Sequence, residues 1–215
     1  MKKQDKVNAV ITALEKQYPD AKCSLEYNHP YELLFATVLS AQCTDKRVNI
    51  VTKELYSEYS TLESIANATP EEIGECIKSC GLYKTKAKNI VASAKVLIEK
   101  YNGELPSSIE ELTTLPGVGR KTANLIMGDI FHQPAVVTDT HCIRICNRLG
   151  FTKNTEPYNV EKDLRKILPP DKSSDFCHRL VLFGREFCSA RNPKCNECPI
   201  KNEYKNEIKC IIKTD

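Results

Sequence analysis

The feature that most constrains the fold of this chain is a glycine turn that leads directly into a helical pattern. It reads Leu115-Pro116-Gly117-Val118-Gly119-Arg120-Lys121-Thr122-Ala123. Two glycines around one apolar residue let the backbone turn tightly and bring its N–H groups close to another molecule. The next apolar residues share one helical stripe, which comprises Ala123, Ile126, Met127 and Ile130. A helix that begins at such a turn directs its N–H groups and its positive dipole toward a phosphate.

Lys121 falls in the first turn of that helix, where the dipole disfavours a cation by roughly 0.3–1 kcal/mol. A solvated surface lysine is the ordinary explanation for one such cation. The functional explanation is that the same helix end favours the neutral amine, which is the nucleophilic form. Asp139 follows eighteen residues later at the predicted start of another helix, which either Thr138 or Asp139 would cap. Capping alone explains a carboxylate there, so its assignment depends on the context.

Helical periodicity recurs along nearly the whole chain. Pro30 opens an apolar helix that ends near Ser40, and Thr44 is a predicted cap for the next one. Thr69 begins a short helix that Gly81 is expected to end. The one extended segment is 134–137. With so little strand signal, the sequence predicts an all-α fold.

Composition restricts the partners and the compartment. The 215 residues suffice for one domain or two small ones, and the net charge of +3 permits DNA as a partner without indicating it. No apolar segment approaches the roughly 20 residues that span a bilayer, and polar residues interrupt any signal core after Met1. We therefore expect a cytosolic protein with no membrane partner. In that reducing compartment, eleven cysteines favour metal binding or burial over a disulfide framework.

Four cysteines near the C-terminus have the spacing of ligands. Cys188, Cys195 and Cys198 lie in a short polar segment with no helical period, and Cys210, the only later cysteine, completes the pattern C-x6-C-x2-C-x11-C. Four thiolates hold either an iron–sulfur cluster or a tetrahedral zinc ion, and the spacing does not choose between them.

Two other cysteine pairs are spaced four residues apart on predicted helices. They are Cys76 with Cys80 and Cys142 with Cys146. Neither pair has two further ligands nearby, so both are interpreted as small buried apolar residues.

The glycine turn, the segment Val137-Thr138-Asp139-Thr140-His141 and the cysteine tail together resemble the endonuclease III family. These proteins are bifunctional DNA glycosylases and apurinic/apyrimidinic lyases of the helix-hairpin-helix superfamily. Segments 39–45 and 81–83 are also similar, so the resemblance covers nearly the whole chain. A glycine hairpin alone would be a weak signal, whereas these segments in this order are highly specific.

The resemblance implies a two-domain fold. Residues 22–133 would form a six-helix domain with the helix-hairpin-helix motif, and residues 1–21 plus 134–215 would form the iron–sulfur cluster domain. DNA would bind in the cleft between them. The implied partner is double-stranded DNA that contains damaged pyrimidines or abasic sites. The protein would act as a monomer at the nucleoid in the cytoplasm.

The resemblance also implies residue roles. Lys121 would attack the sugar C1′ of a flipped nucleotide, expel an oxidised pyrimidine and cleave the strand by β-elimination from a Schiff base. Asp139 would assist proton transfer and stabilise positive charge on the sugar. The implied DNA contacts are Gln42, Leu82, Gly117, Val118, Gly119, Arg120, His141, Arg191 and Lys194. Gln42 and Leu82 would fill the space of the flipped nucleotide, although loop polarity and a core leucine also explain these two residues.

The cysteine tail departs from the family pattern. The usual spacing is C-x6-C-x2-C-x5-C, which requires a cysteine at position 204, where this chain has Tyr204. Either Cys210 supplies the fourth thiolate to a [4Fe–4S] cluster through a longer loop, which is the assignment we favour, or the cluster is altered, labile or absent.

Two alternative functions remain open at this point. A relative of adenine mismatch glycosylase would share the hairpin, the aspartate and the cluster, but it normally lacks the lysine and carries a further C-terminal domain. A non-catalytic helix-hairpin-helix DNA-binding protein would leave Lys121 and Asp139 as coincidences.

Overall fold

The computed structural model describes residues 2–203, and in that range it contains twelve α-helices and no strand. The chain divides into two compact units. One unit is Cys23–Phe131, and the other combines the chain up to Lys22 with the chain from His132 onward. No helix among residues 2–203 is both long and apolar enough to cross a membrane.

The unit Cys23–Phe131 contains six helices of six residues or more and one of four residues. They are α2 (Pro30–Leu39), α3 (Asp45–Glu58), α4 (Leu62–Asn67), α5 (Pro70–Cys76), α6 (Tyr83–Tyr101), α7 (Ile109–Leu112) and α8 (Arg120–Asp129). As its apolar sequence predicts, α2 is buried on every side from Glu32 to Leu39. The long helix α6 packs against α2, α4 and α5, so it joins the helices that flank the loops of Gln42 and Leu82 described below.

The predicted caps Thr44 and Thr69 are confirmed, and two further helices begin in the same way. The side chains of Thr44, Thr61, Thr69 and Ser108 each accept a hydrogen bond from a backbone N–H of the first turn. The end of α5 was predicted wrongly. This helix stops at Cys76, and a turn closed by the Cys80 N–H on the Ile77 carbonyl (2.8 Å) precedes Gly81. Cys80 therefore lies outside the helix that carries Cys76.

The second unit contains the remaining helices. They are α1 (Lys3–Gln17), α9 (Thr140–Arg148), α10 (Pro157–Arg165), a 3₁₀ helix (Pro170–Lys172), α11 (Ser173–Glu186) and α12 (Pro199–Glu203). Helix α11 packs against both α1 and α9. Segment 134–137 forms no strand; the backbone N–H of Ala135 instead donates to the Ser173 hydroxyl (3.1 Å). Cys142 and Cys146 are both buried in α9, as expected.

Candidate functional site

The glycine turn connects α7 to α8 and is held in place by α6. The hydroxyl of Ser93, a buried residue of α6, donates to the Pro116 carbonyl at 2.8 Å. The Val118 side chain is buried, and its N–H donates to the Leu115 carbonyl at 3.1 Å. The buried apolar residues of the turn therefore anchor it in the core, and the backbone of Gly117 and Gly119 forms its exposed surface.

The two glycines of the turn have different structural requirements. Gly117 has φ +79°, and an added Cβ would lie 2.7 Å from the Asn89 amide nitrogen. The fold itself therefore requires glycine at position 117. Gly119, the residue before α8, has φ −93°, and an added Cβ would meet no protein atom within 4 Å. The fold places no such requirement on position 119, so the open space above it is available to a ligand.

Lys121 lies in the first turn of α8 with an exposed side chain. Helix α8 has no side-chain cap at its N-terminus, and the side chain of Arg120, which precedes Lys121, is also exposed. Among residues 2–203, no carboxylate forms an ion pair with Lys121. An exposed amine with no ion pair is accessible to a ligand at this helix start, as a nucleophile requires.

Asp139 caps α9, as the sequence predicted. Its Oδ1 accepts a hydrogen bond from the Cys142 N–H at 2.7 Å, and the residue is half-buried. Within the described residues, no hydrogen bond reaches the second carboxylate oxygen. The cap thus fixes the carboxyl group through one oxygen, and the other is available for chemistry.

Two loops of the Cys23–Phe131 unit present side chains with unusual backbone conformations. Gln42 has φ +57° and Leu82 has φ +59°, both in the left-handed region that non-glycine residues rarely adopt. Gln42 is exposed, and Leu82 is 60% exposed, so the alternative of a core leucine is wrong. Strained, exposed residues of this kind are typical of binding sites.

A buried lysine ties these two loops together. Lys86, in the first turn of α6, donates from Nζ to the carbonyls of Leu39 (2.9 Å) and Ala41 (2.6 Å). Lys86 is 4% exposed, and burial lowers the pKa of its amine. Lys86 therefore satisfies the C-terminal carbonyls of α2 and fixes the loop that begins there to the start of α6. The sequence analysis did not identify this role.

His141 is held by its own helix and by a close approach from α11. Its Nδ1 lies 3.0 Å from a guanidinium nitrogen of Arg144. An added Cβ at Gly184 would collide with the same His141 nitrogen. Glycine at position 184 is therefore what lets α11 pack against the histidine.

The cysteine segment begins directly after α11 and is held by two arginines of α9. Arg144 donates to the Cys188 carbonyl from Nε (3.2 Å) and Nη2 (3.0 Å). Arg148 donates to the Ser189 carbonyl (2.6 Å), to the Ala190 carbonyl (2.9 Å) and to the Cys188 sulfur (3.2 Å). The helix that begins at Asp139 therefore also fixes the start of the cysteine segment.

The surroundings of the described thiols suit negatively charged sulfur. Arg148 places a cation on the Cys188 sulfur. Burial raises the pKa of the Cys198 thiol, while the backbone N–H groups of Lys201 and Ile200 hydrogen-bond to it and act in the opposite direction. Charge-assisted and backbone donors to sulfur are what a thiolate-bound cluster requires. Cys188 and Cys198 therefore fit as cluster ligands, and the half-buried Cys195 lies on the same segment between them.

A zinc site is not formed by the part of the chain that is described. Residues 2–203 contain no group of three or more Cys, His, Asp or Glu placed to hold one metal ion. Tyr204 and the predicted fourth ligand Cys210 lie outside the described residues.

Comparison with known proteins decides the family. Residues 35–170 match the model of the HhH-GPD superfamily of base excision DNA repair proteins, and residues 188–203 match the iron–sulfur binding domain of endonuclease III. The chain belongs to the endonuclease III family. It is 44% identical to endonuclease III of Synechocystis sp. over 92% of this chain and 91% of that protein. It is 46% identical to the Bacillus subtilis protein, over 91% and 92% of the two chains.

Solved structures agree with this assignment. A trapped covalent intermediate of endonuclease III with DNA superposes with a TM-score of 0.89 at 42% identity, covering 98% of this chain and 97% of that one. A thermostable thymine-DNA glycosylase, 24% identical, has a TM-score of 0.83 and shows the fold alone. The all-α helix-hairpin-helix fold is confirmed, and so is the activity of the family, a base-excision repair DNA glycosylase and lyase that carries a [4Fe–4S] cluster.

The two arginines that hold the cysteine segment were missed by the sequence analysis. Arg144 and Arg148 are spaced i, i+4, so they share one face of α9, and this face also carries His141. That spacing was visible in the sequence. The partners of the arginines were not, because the carbonyls of residues 188–190 are about forty positions away.

Replacing Arg148 with methionine is expected to weaken retention of the cluster, because Cys188 loses its charged donor and two carbonyls lose their partners. Loss of outer hydrogen bonds typically costs about 10–100-fold in metal affinity. Iron content and the visible absorbance of the cluster during exposure to a chelator measure this. Lys166→Met removes an exposed cation of the same unit and serves as the control. Equal iron release from both variants would contradict the role of Arg148.

Proposed function

We propose that this chain removes oxidised pyrimidines from double-stranded DNA and cleaves the resulting abasic strand, with Lys121 as the nucleophile. The observation that carries the proposal is an exposed lysine without an ion pair, directly after a glycine turn whose second glycine the fold does not require. DNA as the ligand is supported by the related endonuclease III structures, which were solved as DNA complexes. Because its substrate is DNA, the protein would act at the nucleoid. One chain supplies all the proposed site residues, so the enzyme would act as a monomer.

In the first chemical step, the neutral amine of Lys121 attacks the sugar C1′ of a flipped nucleotide. A C–N bond forms, the glycosidic bond breaks, and the damaged base leaves with its electron pair and takes up a proton. Ring opening gives a Schiff base. Loss of the acidified C2′ proton then expels the 3′ phosphate by β-elimination, and hydrolysis frees Lys121.

Asp139 contributes a negative charge that complements the positive charge of the transition state. Positive charge develops on the sugar as the base leaves, and a fixed carboxylate stabilises it. The cap hydrogen bond from Cys142 holds Oδ1, which orients the group without neutralising it. The second oxygen then accepts and returns the protons that the amine and the sugar exchange.

The glycine turn binds a phosphate of the DNA backbone. Gly119 leaves room for close approach, and the uncapped N-terminus of α8 adds its dipole and N–H groups. The N–H of Val118 is already used within the turn, so Val118 acts as an apolar anchor. The exposed Arg120 adds positive charge beside the same phosphate.

The different requirements at Gly117 and Gly119 can be tested with one alanine variant at each position. We expect Gly119→Ala to fold as stably as the parent but to bind abasic-site DNA at least about tenfold more weakly, because its Cβ occupies the space of the phosphate. Gly117→Ala is expected to lower the free energy of unfolding by about 1 kcal/mol or more, because φ and Asn89 both oppose a side chain. Denaturant unfolding and titration of labelled DNA separate these effects. Parental DNA affinity in Gly119→Ala would contradict the phosphate site.

Gln42 and Leu82 supply one polar and one apolar exposed side chain. Inserted into the duplex, Leu82 would stack in the space left by the flipped nucleotide, and Gln42 would contact the opposite base. Their strained backbones, fixed by Lys86, hold them in position before DNA arrives. His141, whose ring is oriented by Arg144, would contact the DNA backbone.

The cysteine segment would hold a basic loop against the DNA backbone. Cys188, Cys195, Cys198 and the proposed fourth ligand Cys210 would hold the cluster and would thereby be tied together. Arg191 and Lys194 lie between the first two ligands, and both are exposed. Such cations neutralise phosphates and make binding dependent on salt.

A strand-incision assay tests the proposal. The protein is incubated with a duplex that contains one oxidised pyrimidine, with the undamaged duplex, and with a duplex that contains an adenine mismatch. We expect base release and a β-elimination product from the first duplex only. Activity confined to the mismatch would favour the adenine mismatch glycosylase, and binding without incision would favour a non-catalytic module.

A further inference from the structure

Two cysteines lie together at the base of the loops that carry Gln42 and Leu82. The Cys43 thiol, in the loop after α2, donates to the Cys80 sulfur with an Sγ–Sγ distance of 3.7 Å. Cys43 is half-buried and Cys80 is buried. Cys43 directly follows Gln42, and Cys80 lies two residues before Leu82. The pair therefore connects the two loops close to their strained residues.

The backbones around this pair are already in contact. A Cβ at Gly81 would be 3.4 Å from the Gln42 carbonyl oxygen, and Lys86 bridges both loops through the Ala41 carbonyl. A disulfide has an S–S bond of about 2.04 Å. The two sulfurs therefore need to approach by roughly 1.7 Å. Side-chain rotation and a small loop shift can provide that distance.

We propose that Cys43 and Cys80 form an oxidative modification site at which a hydroperoxide produces an intramolecular disulfide. The Cys43 sulfur attacks a peroxide oxygen; the S–O bond forms, the O–O bond breaks, and the leaving oxygen departs as water after taking a proton. The Cys80 sulfur then attacks the sulfenic sulfur of Cys43, and the hydroxyl leaves as water with the Cys80 proton. In total, two thiols and one hydrogen peroxide yield one disulfide and two waters.

The order of the two steps follows from exposure. Cys43 is the accessible member and meets the oxidant first. Burial raises the pKa of the Cys80 thiol to about 11, so this thiol is protonated near neutral pH and reacts second. The half-exposed Cys76 differs because its thiol donates to a carboxylate oxygen of Glu58 (3.4 Å). Cys76 is therefore a matched control without a neighbouring thiol partner.

The effect on activity rests on the proposed function of Gln42 and Leu82. Closing the disulfide displaces at least one of the two loops, and a misplacement of about 1 Å can cost roughly 100-fold in rate. We expect the oxidised protein to excise a damaged base at least about tenfold more slowly than the reduced protein. Dithiothreitol restores the rate because it reduces the disulfide.

The experiment treats the cluster-loaded protein with hydrogen peroxide, blocks the remaining thiols by alkylation and maps the digest by mass spectrometry. We expect one linked peptide pair that contains Cys43 and Cys80 in the parent and in Cys76→Ala, and none in Cys80→Ala. The excision rate should fall on oxidation in the first two proteins, and in Cys80→Ala it should stay within about twofold of its untreated value.

Absence of the linked pair from the oxidised parent would overturn the site. An equal loss of rate in Cys80→Ala would show that the loss arises elsewhere, for example at the cluster, and would overturn the effect on the loops. A reduced parent that excises no base would count against the proposed function instead, and the peptide map would still decide whether the disulfide forms.

Discussion

Asp139→Asn is expected to lower the rate of base excision by about 10²–10⁴-fold, the usual contribution of a positioned acid–base group. The substitution isolates the charge because asparagine is as good an N-cap as aspartate. Its amide oxygen can still accept the hydrogen bond that the Cys142 N–H now donates to Oδ1 at 2.7 Å. The free energy of unfolding should therefore remain close to that of the parent.

Two further variants complete this test. Asp139→Ala removes both the charge and the cap, so it should lose the same activity and in addition about 1 kcal/mol of stability. Glu156→Gln changes the other acidic cap of the same unit, whose carboxylate accepts from the Asn159 N–H at 2.9 Å, and should excise bases at the parental rate. Single-turnover excision and denaturant unfolding measure both quantities. Parental activity in Asp139→Asn would show that the carboxylate charge is not used.

Lys121→Gln is expected to reduce strand cleavage at an abasic site by at least about 10³-fold, because no other group at the start of α8 can form a Schiff base. The side chain is exposed and forms no ion pair in the described residues, so its loss should leave the free energy of unfolding within about 0.5 kcal/mol of the parent. Glutamine is a somewhat shorter polar side chain that removes the amine together with its positive charge.

The control for Lys121→Gln is Lys53→Gln, which removes another exposed lysine of the same unit. Cleavage of a preformed abasic site, followed by gel analysis, reports the lyase step without the earlier base release. Parental cleavage by the Lys121 variant would remove this lysine from the mechanism. A parallel loss in the Lys53 variant would point to general electrostatics.

Local features of the fold could be predicted from the sequence. Thr44, Thr69 and Asp139 were identified as caps because the hydrogen bond of a cap spans only three residues, so its donor and acceptor are both visible in a short segment. The burial of α2 was also predicted, since its apolar residues leave no polar face. The end of α5 was predicted wrongly, because Gly81 is a typical helix end but α5 stops five residues earlier.

Long-range features could not be predicted from residue patterns. The sulfur contact between Cys43 and Cys80 joins residues 37 positions apart, and the contact of Arg148 with Ser189 joins residues 41 positions apart. Spacing suggested a pair between Cys76 and Cys80 because a helix was assumed to continue through both. Likewise, only the packing of Asn89 distinguishes Gly117, which the fold needs, from Gly119, which it does not.

The most direct test of the central claim is borohydride trapping on DNA that contains one oxidised pyrimidine, followed by peptide mapping of the adduct. Reduction of the Schiff base should yield one covalent protein–DNA species, with the sugar remnant attached to the peptide that contains Lys121, and Lys121→Gln should yield none. An adduct attached to any other lysine, or one formed by Lys121→Gln, would contradict the assignment of the nucleophile.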